Sequence, residues 1–211
     1  MQERQFTAEP DTTTGSTRHD TDHPHSLPRT RTLLNALQRQ QPQTPRGSLL
    51  PLASTLLVGT VALYMALVAF SNITDFGTNQ QFVRHVFAMD TTFKDEDLMW
   101  RAIESKGVQD AAYVLIIIWE TVSALVLIAA TYFWARGLGS RVFHTARRYS
   151  TLGLLMVLLL FGAGFIAIGG EYFVMWQSGD WNGLDAALRV FVLSAVVLLV
   201  TYLPTNDRAL D

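Results

Sequence analysis

The sequence predicts an all-α integral membrane protein: a four-transmembrane-helix bundle with short amphipathic helices in its first outer loop and a disordered N-terminal tail. Three observations carry that prediction. Of the 211 residues, 49% are hydrophobic, and they gather into four long blocks where a water-soluble domain would disperse them. Each block reaches, or can be extended to, the roughly 20 residues that cross about 30 Å of hydrocarbon. The arginines cluster on one side of the blocks, the pattern of a protein oriented by a positive cytoplasmic face.

Residues 1–47 are rich in Thr, Gln, Pro, Asp and Arg and poor in aliphatics. Such a segment cannot bury enough apolar surface to offset chain entropy, so a disordered cytoplasmic tail is expected. Leu33, Leu34 and Leu37 beside Arg29, Arg31 and Arg39 form its one amphipathic stretch, which fits a partly helical free tail or a helix lying on anionic lipid. His19, His23 and His25 with Asp20 and Asp22 supply metal-ligating groups, but in such a tail a cluster of this kind is usually incidental.

Residues 48–204 form the four-span domain, followed by a short cytoplasmic C-terminus at 205–211. Span one, about 49–70, is uncharged, and it is too long for the apolar core of a signal peptide, so it reads as an anchor that stays in place. Span two, about 111–134, carries a single charge, Glu120, and span three, about 152–170, carries none. Span four, about 184–203, takes in Arg189 about one turn inside its outer end, a depth that arginine tolerates by snorkelling to the headgroups. Pro204 then ends the helix.

Arg29, Arg31, Arg39 and Arg46 precede span one, and Arg136, Arg141, Arg147 and Arg148 crowd the loop between spans two and three. The connector after span three has neither Lys nor Arg, and in loop one Arg84, Lys94, Arg101 and Lys106 weaken the asymmetry but are outnumbered by Asp and Glu. Both termini are therefore expected in the cytoplasm. The chain has no cysteine, which excludes disulfides, thiolate metal sites and covalent haem attachment.

Loop one, 71–110, is too small for an independent domain. After a turn-rich lead, Phe82, Val83, Val86, Phe87 and Met89 recur at helical spacing; Leu98, Met99, Ala102 and Ile103 do so again behind Asp95, Glu96 and Asp97, whose charge suits a helix N-terminus. Both segments are expected to lie on the membrane or against the connector that follows span three. That connector packs two tryptophans, glycines, amides and carboxylates into a few residues, chemistry that a linker does not need. Loop one and the connector together are expected to cap the outer end of the bundle. Candidate interaction residues are Trp176, Gln177, Asp180, Trp181 and Asn182 from the connector, and Asp75, His85, Asp90 and Trp100 from loop one. Trp176 and Trp181 also fit interfacial anchors, with Tyr132 and Trp134 as cytoplasmic counterparts.

Glu120 lies roughly 13 Å along span two, close to the bilayer midplane. A carboxylate there must face the bundle and be protonated, paired or hydrated. It can serve as a proton or cation site or bind a headgroup such as a quinone. Alternatively it fastens two helices through a carbonyl, a Tyr or a Trp, and the absence of a chain of further polar residues favours the fastener. Glu171 and Arg189 are expected to meet and tie the tops of spans three and four. Ala163, Ala167 and Gly170, with Gly162 and Gly164 beside them, allow close helix approach; packing inside the bundle is the expectation, with a homo-oligomer left open. His85 and Asp90 with Asp75 and Glu171 offer ligands for a metal in the cap, without the HExxH or paired histidines of a catalytic site. No nucleophile elbow, P-loop or dinucleotide fingerprint is present. No catalytic residue, metal or cofactor is assigned, and nucleic acid is not an expected partner.

Several motifs carry a resemblance. Asn72-Ile73-Thr74-Asp75, Phe82-Val83-Arg84-His85-Val86, Met89-Asp90-Thr91-Thr92, Trp100-Arg101-Ala102-Ile103, Glu120 and Gly169-Gly170-Glu171 through Trp176-Gln177-Ser178 to Trp181-Asn182-Gly183 resemble a bacterial family of predicted small integral membrane proteins, a domain of unknown function. The resemblance covers about residues 50–203 and leaves out the tail. It implies a four-span, multi-pass protein of the bacterial inner membrane and brings no catalytic residues.

Three functional classes follow. The leading one is a non-catalytic accessory or interaction subunit of a larger membrane complex, binding a protein partner through the outer cap, with membrane lipids around the spans. The second is a small transporter or channel using Glu120. The third is a quinone-linked or lipid-modifying membrane enzyme, for which no redox centre is encoded.

Overall fold

A computed structural model describes residues 49–140 and 142–204. The expectations for the tail and its histidines, for Arg141 and for residues 205–211 lie outside the described residues. All the regular secondary structure there is helical. Helix α1 (Leu49–Thr74) leads almost directly into α2 (Phe76–Ala88); a 3₁₀ turn at Met99–Arg101 precedes α3 (Lys106–Ser140). Helix α4 (His144–Leu158) continues without interruption as a π-helix over Leu159–Tyr172, and a second 3₁₀ turn at Met175–Gln177 leads to α5 (Leu184–Thr201). Helices α1, α3, α4 with its π extension, and α5 are long and apolar enough to cross a membrane.

The helices overrun the apolar blocks that announce them, with 26 residues in α1 and 35 in α3. A span must keep its backbone hydrogen-bonded wherever water is scarce, so continuing the helix past the hydrocarbon satisfies groups that a loop would expose. At 1.5 Å per residue α3 is about 52 Å long, well beyond the hydrocarbon core. Its first turns therefore belong to the cap.

Each spanning helix buries one side. Val58 and Met65 of α1, Leu127 and Trp134 of α3, Leu154 and Val157 of α4, and Val190 and Val197 of α5 form a shared core. Leu56, Leu63, Leu125, Leu159 and Leu199 point outward. Lipid is as apolar as leucine, so close backbone approach, rather than escape from solvent, holds such a bundle together. Gly162 provides that approach: a Cβ added there would stand 2.7 Å from the ring of Phe191 on α5. Gly170 does the same against Leu184 at 2.8 Å, whereas Ala163 and Ala167 of the same stripe are exposed.

Three features depart from the sequence reading. Trp134, expected as an interfacial anchor, is fully buried; its indole Nε1 donates to Ser150 Oγ at 2.8 Å and its ring stacks on Phe143 at 5.2 Å. Only three residues separate α3 from α4, and so tight a hairpin folds the first turns of α4 over the last turns of α3. The segment behind Asp95 forms one 3₁₀ turn instead of an amphipathic helix, with the Asp95 carbonyl accepting the N–H of Leu98 and Met99 at 2.9 and 3.1 Å. So short a stretch cannot recover the cost of nucleating an α-helix. Finally, the π-helix runs for 14 residues, LLFGAGFIAIGGEY, four of them glycine, where π geometry ordinarily appears as a single-turn bulge.

Candidate functional site: the cap and the polar contact beneath it

The cap has its own small core. Val86 and Met89 from loop one meet Phe173, Val174 and Met175 from the connector, with Phe82, Phe87, Met99 and Ile103 packed around them. Phe87 and Phe173 stack at 4.8 Å. Hydrogen bonds between the two loops close the structure: the Thr91 and Ser178 hydroxyls are 2.8 Å apart, and the Phe93 N–H donates to Gln177 Oε1 at 2.9 Å. The Ile103 N–H donates to the Phe87 carbonyl at 2.8 Å, and buried Gln109 donates to the Ile103 carbonyl at 2.6 Å. The apolar side of α2 faces this core while its polar side reaches α3, where Arg84 donates twice to Asp110 at 2.9 and 2.8 Å and Gln80 adds a third bond at 2.9 Å. The Asp110 carboxylate holds the Arg84 guanidinium above its ordinary pKa.

The connector is held under strain. Val174 sits at φ 47°, ψ 38° while its side chain is buried. A β-branched residue in the left-handed region is uncommon and costs on the order of 1–3 kcal/mol, so it persists only where its surroundings dictate it. Buried Phe173 and Met175 on either side supply that constraint. The cap conformation is therefore imposed by packing rather than chosen by the local chain.

The residues singled out from sequence take different parts. His85 and Asp90 do meet, with Nδ1 2.8 and 2.9 Å from the two carboxylate oxygens, and the imidazole stacks on Trp181 at 4.5 Å. Asp75 instead accepts a bond from Thr78 at 2.9 Å, Glu171 stands exposed, and no three His, Asp or Glu groups converge among the described residues. Gln177 is spent on the Phe93 backbone and Asn182 Oδ1 accepts the Leu184 N–H at 3.1 Å at the start of α5; both amides build the cap. Asp180 is exposed. Trp176 packs edge-on against Phe93, and Trp100 edge-on against Tyr172. Phe93 and Trp100 are 72% and 71% exposed, Trp176 and Tyr172 less so.

The expected Glu171 to Arg189 clamp does not form. Both side chains are exposed, and no ion pair joins them among the described residues. The expectation rested on their similar depth at the outer ends of spans three and four. Glu171 lies near the end of the π-helix, whose wider turn shifts the phase of every residue along it.

Glu120 is 2% exposed and faces the bundle. Its partner is Asn72, near the end of α1, whose Nδ2 donates to Oε2 at 2.6 Å; the Asn72 carbonyl in turn accepts from the Tyr113 hydroxyl at 3.1 Å. The sequence reading missed this amide. Its signal was position alone: a carboxamide within a turn of the end of one span, able to meet an acid in the antiparallel neighbour.

Against the known proteins, the family model for predicted small integral membrane proteins, domain of unknown function 2165, matches residues 50–204. The chain belongs to that family. The match takes in all four spans and both loops of the cap. No curated protein and no solved structure matches this family member.

Proposed function

We propose that this integral membrane protein is a non-catalytic accessory subunit whose cap docks a protein partner outside the bilayer. The observation that carries the reading is the outward display of Phe93, Trp100 and Trp176 on a cap that is already packed. Phe93 is followed directly by Lys94, Asp95, Glu96 and Asp97, so this aromatic stands in a charged, water-facing setting and not among lipid chains. Exposed aromatics fixed on a rigid support and surrounded by polar groups are the usual anchors of protein recognition. The strained Val174 and the bonds between the loops keep them pre-organised, which lowers the entropy lost on docking. Arg136, Arg147 and Arg148 lie at the opposite end of the bundle, which supports an orientation with that end in the cytoplasm of a bacterial inner membrane. Glu120, bonded to Asn72, serves in this reading as a fastener between α1 and α3.

The test is the double variant Trp100→Ala with Trp176→Ala, purified in mild detergent beside the parent protein. Proteins retained by the parent should be lost from the variant, while its membrane level and thermal stability stay unchanged. Retention of the same proteins at the same stoichiometry refutes the proposal.

A further inference from the structure

A cavity of about 260 Å³ lies beneath the cap, between the first turns of α3, the π-helix and α2. Ala112 and Leu115 of α3, Gly164 and Ile168 of the π-helix, and Phe82 and Val86 of α2 are among its lining residues, and every lining residue is apolar. The π-helix makes this space. At Gly164 an added Cβ would find nothing closer than 3.8 Å, and that neighbour is its own Leu160. The mouth opens sideways: Leu115 and Ile168 on the rim are 65% and 52% exposed, and both belong to spanning helices. The medium outside that mouth is therefore hydrocarbon. An apolar cavity of about 150 Å³ already accommodates a benzene-sized guest, and an unfilled one forfeits the dispersion contacts of its whole lining.

The cap end of the cavity carries a cation. Phe87 and Phe173 line that end, and Arg101 donates from Nη1 to the carbonyl of Tyr172, the residue before Phe173, at 3.4 Å. Its guanidinium lies 5.6 Å from the ring centres of both Trp100 and Tyr172. Its Nε is buried with no hydrogen-bond partner, and no carboxylate pairs with it among the described residues. A guanidinium held beside two aromatics, with no carboxylate to answer its charge, matches the phosphate of an anionic lipid. A neutral quinone ring would leave that charge unanswered.

We propose that the cavity holds an acyl chain of one anionic phospholipid, drawn from the leaflet on the cap side, whose phosphate binds Arg101. The proposal does not rest on the protein partner, since Arg101→Gln leaves Trp100 and Trp176 in place. The purified full chain is incubated with phosphatidylglycerol, with phosphatidylcholine of the same acyl chains, or with ubiquinone, and retained molecules are counted by native mass spectrometry. One phosphatidylglycerol should be retained at least about ten-fold more tightly than phosphatidylcholine, and Arg101→Gln should erase that preference, as the loss of one charge-assisted contact predicts. Gly164→Leu, which fills the cavity, and Leu115→Trp, which blocks its mouth from a lipid-facing position, should each weaken retention of both lipids about ten-fold or more. Equal retention of the two lipids, unaltered by Arg101→Gln, overturns the headgroup assignment. Retention at the parent level in both cavity variants overturns the tail site, and tight ubiquinone binding that phosphatidylglycerol cannot displace overturns the lipid class.

Discussion

Replacing Asn72 by Ala removes the side-chain donor that reaches Glu120 and isolates what the contact contributes. Hydrogen bonds between membrane helices contribute about 0.6 kcal/mol on average and about 1.7 kcal/mol at the upper end. A buried acceptor left without its donor costs about 1–3 kcal/mol in proteins generally. Glu120 is 2% exposed and the bond is 2.6 Å long, so the buried carboxyl loses a close donor when the amide is removed. The two ranges overlap at about 1–1.7 kcal/mol, which is the destabilisation expected of Asn72→Ala. Glu120→Gln keeps a carbonyl oxygen where Oε2 stood and should cost about 0.5 kcal/mol or less. The assay is reversible unfolding of the purified protein in mixed micelles by added dodecyl sulfate, followed by tryptophan fluorescence, for Asn72→Ala, Glu120→Ala and the double variant. A coupling energy above about 0.5 kcal/mol is expected for two groups in direct contact. Additivity within about 0.3 kcal/mol would refute the fastener, because the acid would then be stabilised by something other than Asn72.

Two further perturbations use the same unfolding measurement. Gly162→Ala places a methyl 2.7 Å from the Phe191 ring, a rigid neighbour, and should destabilise by about 1–3 kcal/mol, whereas Gly164→Ala, with 3.8 Å of clearance, should be neutral or stabilising; equal costs at the two sites would contradict the close approach of the π-helix to α5. Trp134→Phe leaves the buried Ser150 hydroxyl without its indole donor and should cost about 1–2 kcal/mol, after which Ser150→Ala should add almost nothing; a full second penalty would mean the bond contributes little.

The bundle was legible because the signals that specify it are local. The length of each apolar block tells where hydrocarbon must be crossed, and those signals survive without knowledge of any neighbour. The apolar spacing of Val83 and Val86 likewise announced α2, because burial of one helix face leaves its period in the sequence. The site was less legible because its chemistry is decided across helices. Asn72 and Glu120 are 48 positions apart, and nothing local to either names the other. Trp134 reads as an interfacial aromatic until the short hairpin encloses it. The amides of Gln177 and Asn182 looked like recognition groups but cap backbone N–H groups, a role that any exposed amide in a tight connector can take. Glu171 and Arg189 were matched by depth alone, and depth does not fix the direction in which a side chain leaves its helix, least of all near the end of a π-helix.

The π-helix links these observations. It ends the third span with Glu171 exposed, and its Gly164 lines the cavity. The connector must then start from an altered direction, and it reaches the cap core through Val174 in the left-handed region. The geometry of the span and the surface of the cap are therefore one decision. Asn72 acts on the same assembly from the other side, since it bonds the end of α1 to α3 four residues before α2 begins at Phe76, with Asp75 between the two helices. A single residue, Asp75, thus separates the helix that carries the Glu120 contact from the helix that packs into the cap core.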